Sequence, residues 1–185
     1  MKKFEKVADG IEQILVSSDE IKVKIEEVAA KISEDYQGKD LIMVGVLKGS
    51  VVFMADLMRA LDLNCAIDFM AVSSYGAGTQ SSGVVRIEKD LRNSIEGKDI
   101  LLVEDILDSG NTLYYLTNLL AQRNPASIKI VTLLDKPERR QAPISADYCC
   151  FNIPDAFVVG YGLDYDELYR NYPHIGVLRP EAYQE

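Results

Sequence analysis

Near the middle of the chain the sequence reads Ile100-Leu101-Leu102-Val103-Glu104-Asp105-Ile106-Leu107-Asp108-Ser109-Gly110-Asn111-Thr112. Its first four residues are apolar on both faces, which predicts a buried strand of a parallel sheet over residues 99–105. The small polar residues near the end predict a tight turn, and helical spacing resumes over about residues 112–122. A strand that passes through a short turn into a helix is the repeating unit of an α/β fold.

The same alternation extends in both directions. Apolar runs predict further strands at residues 41–47, 66–73, 84–88 and 127–134, and helical spacing predicts helices over residues 21–32 and 51–61. Ser17 and Glu20 form a capping box at the start of the first helix. Shorter strands are predicted at 148–153 and 157–161, before an irregular, aromatic-rich tail over 164–185. We therefore expect an open, mainly parallel, twisted sheet flanked by helices, with right-handed crossovers.

Composition limits the class of protein. The 185 residues include 20 Lys and Arg against 29 Asp and Glu, a net charge of −9, and 48% are hydrophobic, so we expect one domain spanning residues 1–185. The negative charge argues against nucleic-acid binding. Without an apolar run of ~20 residues or a secretory signal, the sequence predicts a cytoplasmic protein with no membrane partner. The three cysteines are predicted to be buried and reduced; no C-x-x-C pair is present, Cys149 and Cys150 would point to opposite faces of a strand, and His174 is the only histidine, which argues against a Cys/His zinc site.

Polar residues follow three of the predicted strands, at the edge where such sheets bind ligands. Backbone N–H groups at the helix start, with the hydroxyls of Ser109 and Thr112, predict a cradle for a phosphate, which Gly110 allows to approach closely. Glu104 and Asp105 lie just upstream, where carboxylates could accept hydrogen bonds from sugar hydroxyls or lie near Mg²⁺. The combination suits a sugar phosphate better than a helix that is merely capped beside solvated acids.

Other phosphate-binding motifs fit poorly. The P-loop pattern G-x-x-x-x-G-K-[ST] is absent from the sequence. The spacing of Gly76, Gly78 and Gly83 does not match G-x-G-x-x-G and lies in a long polar segment, which argues against a dinucleotide fold. Glu104 and Asp105 are adjacent, whereas a phospho-aspartate phosphatase requires two aspartates one residue apart.

The thirteen residues quoted above resemble the phosphoribosyl pyrophosphate (PRPP) signature of type I phosphoribosyltransferases. The chain from Leu41 to Leu178 is similar to the hypoxanthine-guanine branch of that family, bacterial type. The motifs that carry this resemblance are residues 47–50, 73–75, 103–112, 134–136 and 153–166. It implies the family's fold, with a core at about residues 38–160 and a small hood formed by the chain ends, whose C-terminal segment spans about residues 148–185.

The resemblance also implies a role for each matching residue. Asp108 would be the general acid/base beside the purine N7. The ribose and its phosphate would be held by Glu104, Asp105, Asp108, Ser109, Gly110, Asn111 and Thr112. Pyrophosphate would face Lys48, Gly49 and Arg170, and the peptide between Leu47 and Lys48 is often cis in the family. The purine would contact Ile106, Lys136, Phe157, Val158 and Asp164. Mg²⁺ would be held through Glu104, Asp105 and Asp164, and Ser74 and Tyr75 would lead a lid loop.

The implied reaction is Mg²⁺-dependent transfer of the 5-phosphoribosyl group from PRPP to N9 of hypoxanthine or guanine, giving IMP or GMP and pyrophosphate. The family further implies a homo-oligomer, dimer or tetramer, that acts on small molecules in purine salvage. A xanthine-preferring enzyme and a nucleotide-sensing regulator on the same fold are the alternatives. Lys136 argues against adenine, and the lack of a basic cluster beyond residues 136–140 argues against the regulator.

Overall fold

The computed structural model describes residues 6–74 and 85–183 of the chain. Its strands are β1 (Ile11–Val16), β2 (Leu41–Leu47), β3 (Ala66–Ser74), β4 (Val85–Lys89), β5 (Asp99–Leu107), β6 (Ser127–Asp135), β7 (Tyr148–Asn152), β8 (Val158–Val159) and β9 (Ile175–Leu178). Its helices are α1 (Ser18–Asp35), α2 (Val51–Ala60), α3 (Asn111–Ala121) and α4 (Pro180–Tyr183), with single 3₁₀ turns at Val7–Gly10 and Pro137–Arg139.

Six strands form the main sheet in the order β4-β3-β2-β5-β6-β7. Every neighbouring pair is parallel except β3 and β4, so the expected mainly parallel α/β sheet is confirmed. Side chains of β5 alternate between two cores: Leu101 and Val103 pack with α1 and α2, and Ile100 and Leu102 pack with α3. Because helices cover both faces, β5 needs apolar residues at successive positions.

A second, antiparallel sheet of β1, β9 and β8 brings the two ends of the described chain together. It is the predicted hood, with four corrections. The N-terminal segment contributes β1, which was not predicted. β7 continues the main sheet through its pairing with β6, so the hood begins after β7 and not at residue 148. The strand predicted at 157–161 is only Val158–Val159, and the tail predicted to be irregular contains β9 and α4.

The helix boundaries follow local signals closely. At α1 the predicted capping box is present: the Glu20 N–H donates to Ser17 Oγ at 3.3 Å, and the Ser17 N–H donates to Glu20 Oε2 at 2.8 Å. α3 begins at Asn111, one residue before the predicted start, because Gly110 already occupies the N-cap position. None of the helices in the described part of the chain is long and apolar enough to cross a membrane.

Candidate active site

The carboxyl ends of β2, β5 and β6 place the predicted residues at one edge of the sheet. Residues 48–50 follow β2, residues 104–110 cover the end of β5 and the turn after it, and Lys136 follows β6. β5 runs two residues further than predicted, because Ile106 and Leu107 pair with Leu134 and Asp135 of β6. Glu104 and Asp105 therefore lie within a strand, where the backbone is paired with β6, while the pairing with β2 ends at Val103.

The turn after β5 leaves the start of α3 open to a ligand. Gly110 has φ +83°, a left-handed conformation that glycine adopts without strain, and a Cβ there would meet the side chains of Ile144 and Arg140. Gly110, the N-cap residue, has no side chain that could cap this helix start, and the only side-chain contact found to its first N–H among the described residues is a long one, from Asn111 N–H to Ser109 Oγ at 3.5 Å. Its first N–H groups have no partner within the helix, which is the arrangement that the predicted phosphate cradle requires, and Thr112 lies in the same turn.

Arg140 holds this turn in place, and the sequence analysis did not identify it as a site residue. Its guanidinium donates to the main-chain oxygens of Asp108 (3.0 Å), Leu107 (3.2 Å) and Ile144 (2.8 Å), and it forms an ion pair with Asp135. Main-chain donors of Gln141 and Ala142 also reach Ser109 O, at 2.9 and 3.0 Å. Arg140 thus ties the turn after β5 to the end of β6.

Glu104 and Asp105 form a buried acidic pair. Burial, and then the charge of the adjacent Asp105, raise the pKa of Glu104 well above its ordinary value. Burial also raises the pKa of Asp105, against the lowering effect of hydrogen bonds from Glu104 and from the main chain. Asp105 Oδ1 accepts the N–H of Ile106 at 2.9 Å, whereas the buried Oε2 of Glu104 has no hydrogen-bond partner. Glu104 Oε2 is therefore a buried acidic oxygen without the hydrogen-bond partner that such an atom requires.

These oxygens suit Mg²⁺, which takes one or two carboxylates and completes its shell with water and substrate phosphates. Within the described residues no three His, Cys, Asp or Glu side chains converge as a metal site. Asp164, the third predicted ligand, instead accepts Arg170 Nη2 at 2.8 Å and the Glu167 N–H at 2.9 Å. The acidic pair therefore fits a metal ion that arrives with a phosphorylated substrate.

Gly49 lies against this pair. A Cβ on Gly49 would lie 2.6 Å from Asp105 Cγ, and a Cβ on Gly162 would lie 3.3 Å from the Gly49 carbonyl carbon. The peptide at Gly49 is therefore enclosed between Asp105 and the 160–164 segment. The peptide bond between Leu47 and Lys48 is cis, as the resemblance implies.

Lys48 and Arg170, predicted to face pyrophosphate, meet the same carboxylate. Glu167 Oε2 lies 3.0 Å from Lys48 Nζ and 3.5 Å from Arg170 Nη2. Arg170 also donates from Nη1 to Gly162 O at 2.8 Å, while its buried Nε has no partner. The structure thus brings together two cations that lie 122 residues apart in sequence, with Glu167, which the sequence analysis missed, between them.

Asp108, the predicted acid/base, lies just past β5 and contacts a second arginine that was not predicted. Its Oδ1 accepts Arg139 Nε at 2.7 Å, and Arg139 Nη1 lies 3.2 Å from Asp155 Oδ2. Asp155 in turn lies 3.7 Å from Lys136 Nζ. This chain of ion pairs connects Asp108 to the residues predicted to hold the purine.

The predicted purine contacts surround residues 155–158. Lys136 is 7% exposed and donates from Nζ to Ala156 O at 2.7 Å, which leaves two ammonium N–H groups for other acceptors. Phe157 is 42% exposed, and its ring stacks on Tyr183 with centroids 4.9 Å apart. A purine could therefore stack only on its other face. Val158 is buried in β8 and Ile106 is partly buried in the main core.

The lid prediction falls at the edge of the described residues. Ser74 is the last residue of β3, and Tyr75 lies outside the described ranges. The role of both residues stays a prediction.

The chain is similar to known proteins over nearly its whole length. A family model described as the phosphoribosyl transferase domain matches residues 13–166. The chain is 56% identical over 174 residues to a hypoxanthine-guanine phosphoribosyltransferase of Bacillus subtilis, covering 94% of this chain and 97% of that protein. It is 52% identical over 181 residues to a "Bifunctional protein TilS/HprT" of Listeria innocua, covering 98% of this chain but spanning only 28% of that protein's length. A crystal structure of a hypoxanthine phosphoribosyltransferase from Staphylococcus aureus superposes with a TM-score of 0.95 at 52% identity, covering 99% of this chain and 100% of that one.

Proposed function

The chain belongs to the phosphoribosyltransferase family, and from that premise we propose that it transfers the 5-phosphoribosyl group of PRPP to N9 of hypoxanthine or guanine. The products would be IMP or GMP and pyrophosphate, a reaction of purine salvage. One observation carries the proposal: the open N-terminus of α3, the buried acidic pair and the buried Lys136 lie at the carboxyl ends of adjacent strands. A single molecule that carries a phosphate, a sugar and a planar base could be held along these strand ends.

The phosphate and the ribose would be fixed by the end of β5. The N–H groups at the start of α3 would bind the 5′-phosphate, together with the hydroxyls of Ser109 and Thr112. Glu104 and Asp105 would accept hydrogen bonds from the ribose hydroxyls and hold Mg²⁺ directly or through water, and Asp164 would contribute once it leaves Arg170. When bound, Mg²⁺ supplies positive charge that neutralises the departing pyrophosphate.

The purine would be selected by Lys136. A 6-oxo group can accept a hydrogen bond from its ammonium, whereas the 6-amino group of adenine cannot, and a buried charge left without an acceptor costs free energy. Asp108 would exchange a proton at N7 after its carboxylate leaves Arg139. Because the bond to C1′ breaks and forms through a state with little bonding, position and charge supply most of the catalysis, and no covalent enzyme intermediate is needed.

We also propose a dimer or tetramer and a cytoplasmic location. Val51 and Met58, two turns apart on α2, are large apolar side chains exposed on the single chain, which supports assembly. The three free cysteines suit a reducing compartment. Light scattering of the purified protein measures the assembly directly.

The proposal is tested by a pyrophosphate-release assay with PRPP and each of hypoxanthine, guanine, xanthine and adenine, with and without Mg²⁺. We expect release with hypoxanthine and guanine only, and only with Mg²⁺. Faster release with xanthine would identify a xanthine-preferring enzyme. No release with any base, together with tight, salt-sensitive RNA binding, would favour the regulator instead.

A further inference from the structure

Glu167 occupies the position between the two cations that the proposed function assigns to pyrophosphate. A single oxygen, Oε2, lies 3.0 Å from Lys48 Nζ and 3.5 Å from Arg170 Nη2. Lys48 follows β2 and Arg170 lies in the segment before β9, so the carboxylate bridges two parts of the fold. In the free protein, an internal anion therefore fills the place where an anionic ligand would bind.

The backbone directs this carboxylate toward the cations. The Glu167 N–H donates to Asp164 Oδ2 at 2.9 Å, and the other oxygen of Asp164 accepts Arg170 Nη2 at 2.8 Å. Tyr165 and Leu168 exchange main-chain hydrogen bonds of 3.2 and 3.0 Å around the turn. Glu167 itself has φ +64°, a backbone conformation that residues other than glycine, asparagine and aspartate rarely adopt. The turn is therefore constructed so that position 167 faces Lys48 and Arg170.

The contact is exposed enough to be replaced. The side chains of Glu167 and Lys48 are 63% and 67% exposed, and solvent-exposed ion pairs are weak. Pyrophosphate carries several negative charges where the carboxylate carries one, so it would displace Glu167 from the cations. If the carboxylate stayed, like charges would share a site a few ångströms wide and repel each other.

We propose that Glu167 is an internal competitor for the pyrophosphate site, which weakens binding of PRPP and pyrophosphate and speeds the departure of pyrophosphate. The inference rests on the proposed function, since it takes Lys48 and Arg170 as pyrophosphate ligands. Returning the carboxylate to the cations would compensate their charge as the product leaves.

The test compares Glu167→Gln with Asp166→Asn. Both variants remove one negative charge from the same turn, but no ion pair of Asp166 is found among the described residues. Glu167→Asn is a second variant, because asparagine tolerates the left-handed backbone that position 167 requires. Affinity for pyrophosphate with Mg²⁺ is measured by calorimetry on the full chain, and affinity for IMP reports on the 5′-phosphate and purine sites.

We expect both Glu167 variants to bind pyrophosphate about 3- to 10-fold more tightly than the unmodified protein, with IMP affinity unchanged and Asp166→Asn within about 2-fold. Unchanged or weaker pyrophosphate binding by both Glu167 variants would overturn the inference, and so would equal tightening by Asp166→Asn. If the unmodified protein transfers phosphoribosyl groups, such a result refutes the competitor role alone. If it neither transfers them nor binds pyrophosphate, the proposed function fails as well.

Discussion

A methyl group on Gly49 should separate residues 48–50, which follow β2, from Asp105. The Cβ of Gly49→Ala would lie 2.6 Å from Asp105 Cγ, whereas two carbon atoms in contact are about 3.5–4.0 Å apart. Asp105 cannot easily turn aside, because it is 8% exposed and Oδ1 is held by the Ile106 N–H at 2.9 Å. Gly49 cannot easily withdraw, since Gly162 packs against its carbonyl group on the other side. Because Asp105 Oδ2 would lie closer still, one of the two must move by at least about 1 Å to restore ordinary contact.

The size of this displacement determines how much Gly49→Ala should lower both the activity and the stability of the protein. A displacement of about 1 Å in a positioned catalytic group can lower the rate by about 100-fold, which corresponds to about 2.7 kcal/mol in the activation free energy. Extra volume in a packed region usually lowers the free energy of unfolding by about 1–3 kcal/mol. Gly49→Ala should therefore reduce kcat/KM for PRPP by about 100-fold while the protein still folds.

The assays are steady-state pyrophosphate release and urea unfolding, the latter repeated in an Asp105→Ala background. Because Asp105→Ala removes the obstacle, Gly49→Ala should cost less than about 0.5 kcal/mol of stability there, against about 1–3 kcal/mol in the unmodified chain. Stability is the quantity to compare, since Asp105→Ala alone is expected to abolish ribose binding. The reasoning fails if Gly49→Ala costs the same in both backgrounds, or if its kcat/KM equals that of the unmodified protein.

Three further predictions concern the acids and the lysine of the site. Burial raises the pKa of Glu104, so the folded protein retains a proton that the unfolded chain loses above pH ~4.3, and its stability falls as pH rises by up to about 1.4 kcal/mol per unit. Glu104→Gln should therefore become more stable relative to the unmodified chain as pH rises from 4 to 8, as measured by urea unfolding in EDTA; a stability difference that does not change with pH would contradict this. Asp108→Asn should keep PRPP affinity and lower turnover by about 10²- to 10⁴-fold, and unchanged turnover in a pyrophosphate-release assay would remove it from the acid/base role. Lys136→Met should weaken hypoxanthine binding by about 10- to 100-fold and PRPP binding by less than about 2-fold in calorimetry; the reverse order would place Lys136 outside the purine site.

Local signals in the sequence are strong enough to predict most of the main sheet. β2 spans the predicted residues 41–47 because burial on both faces requires a continuous apolar run with polar ends. The end of β5 was placed too early, since Glu104 and Asp105 look like turn residues until pairing with β6 is known. β1 was missed because its partner, β9, lies about 160 residues away and only its two end residues, Ile11 and Val16, are buried. Pairing over that distance leaves little pattern in either strand.

Some residues of the site can likewise be predicted from local sequence signals, and others cannot. Gly110, Asp105 and Lys136 follow directly from their places at strand ends, and the structure puts all three at one edge of the sheet. Their ionic partners do not, because an ion pair depends on which loops meet in space. Arg139 was visible only as part of a basic run after β6, and Glu167 only as one acid in an aromatic tail. Its place beside a strand end is the signal that could have drawn attention to Arg139. For Glu167 the corresponding feature is its left-handed backbone, which only the structure shows.

The charged residues of the site share one property: most of them are paired with other residues of the protein itself. Glu167 pairs with Lys48, Arg170 pairs with Asp164 and Glu167, and Asp108 pairs with Arg139, while burial disfavours the charged form of Glu104 by raising its pKa. A ligand must therefore exchange partners with the protein, and the exchange is favourable only where the ligand offers at least as good a counter-charge. A molecule with one phosphate can fill the start of α3 but cannot free Lys48 and Arg170 from Glu167. Under the proposed function, PRPP is the molecule that replaces these internal partners at both ends of the site, so the selectivity for PRPP over simpler phosphates follows from the ion pairs that it has to break.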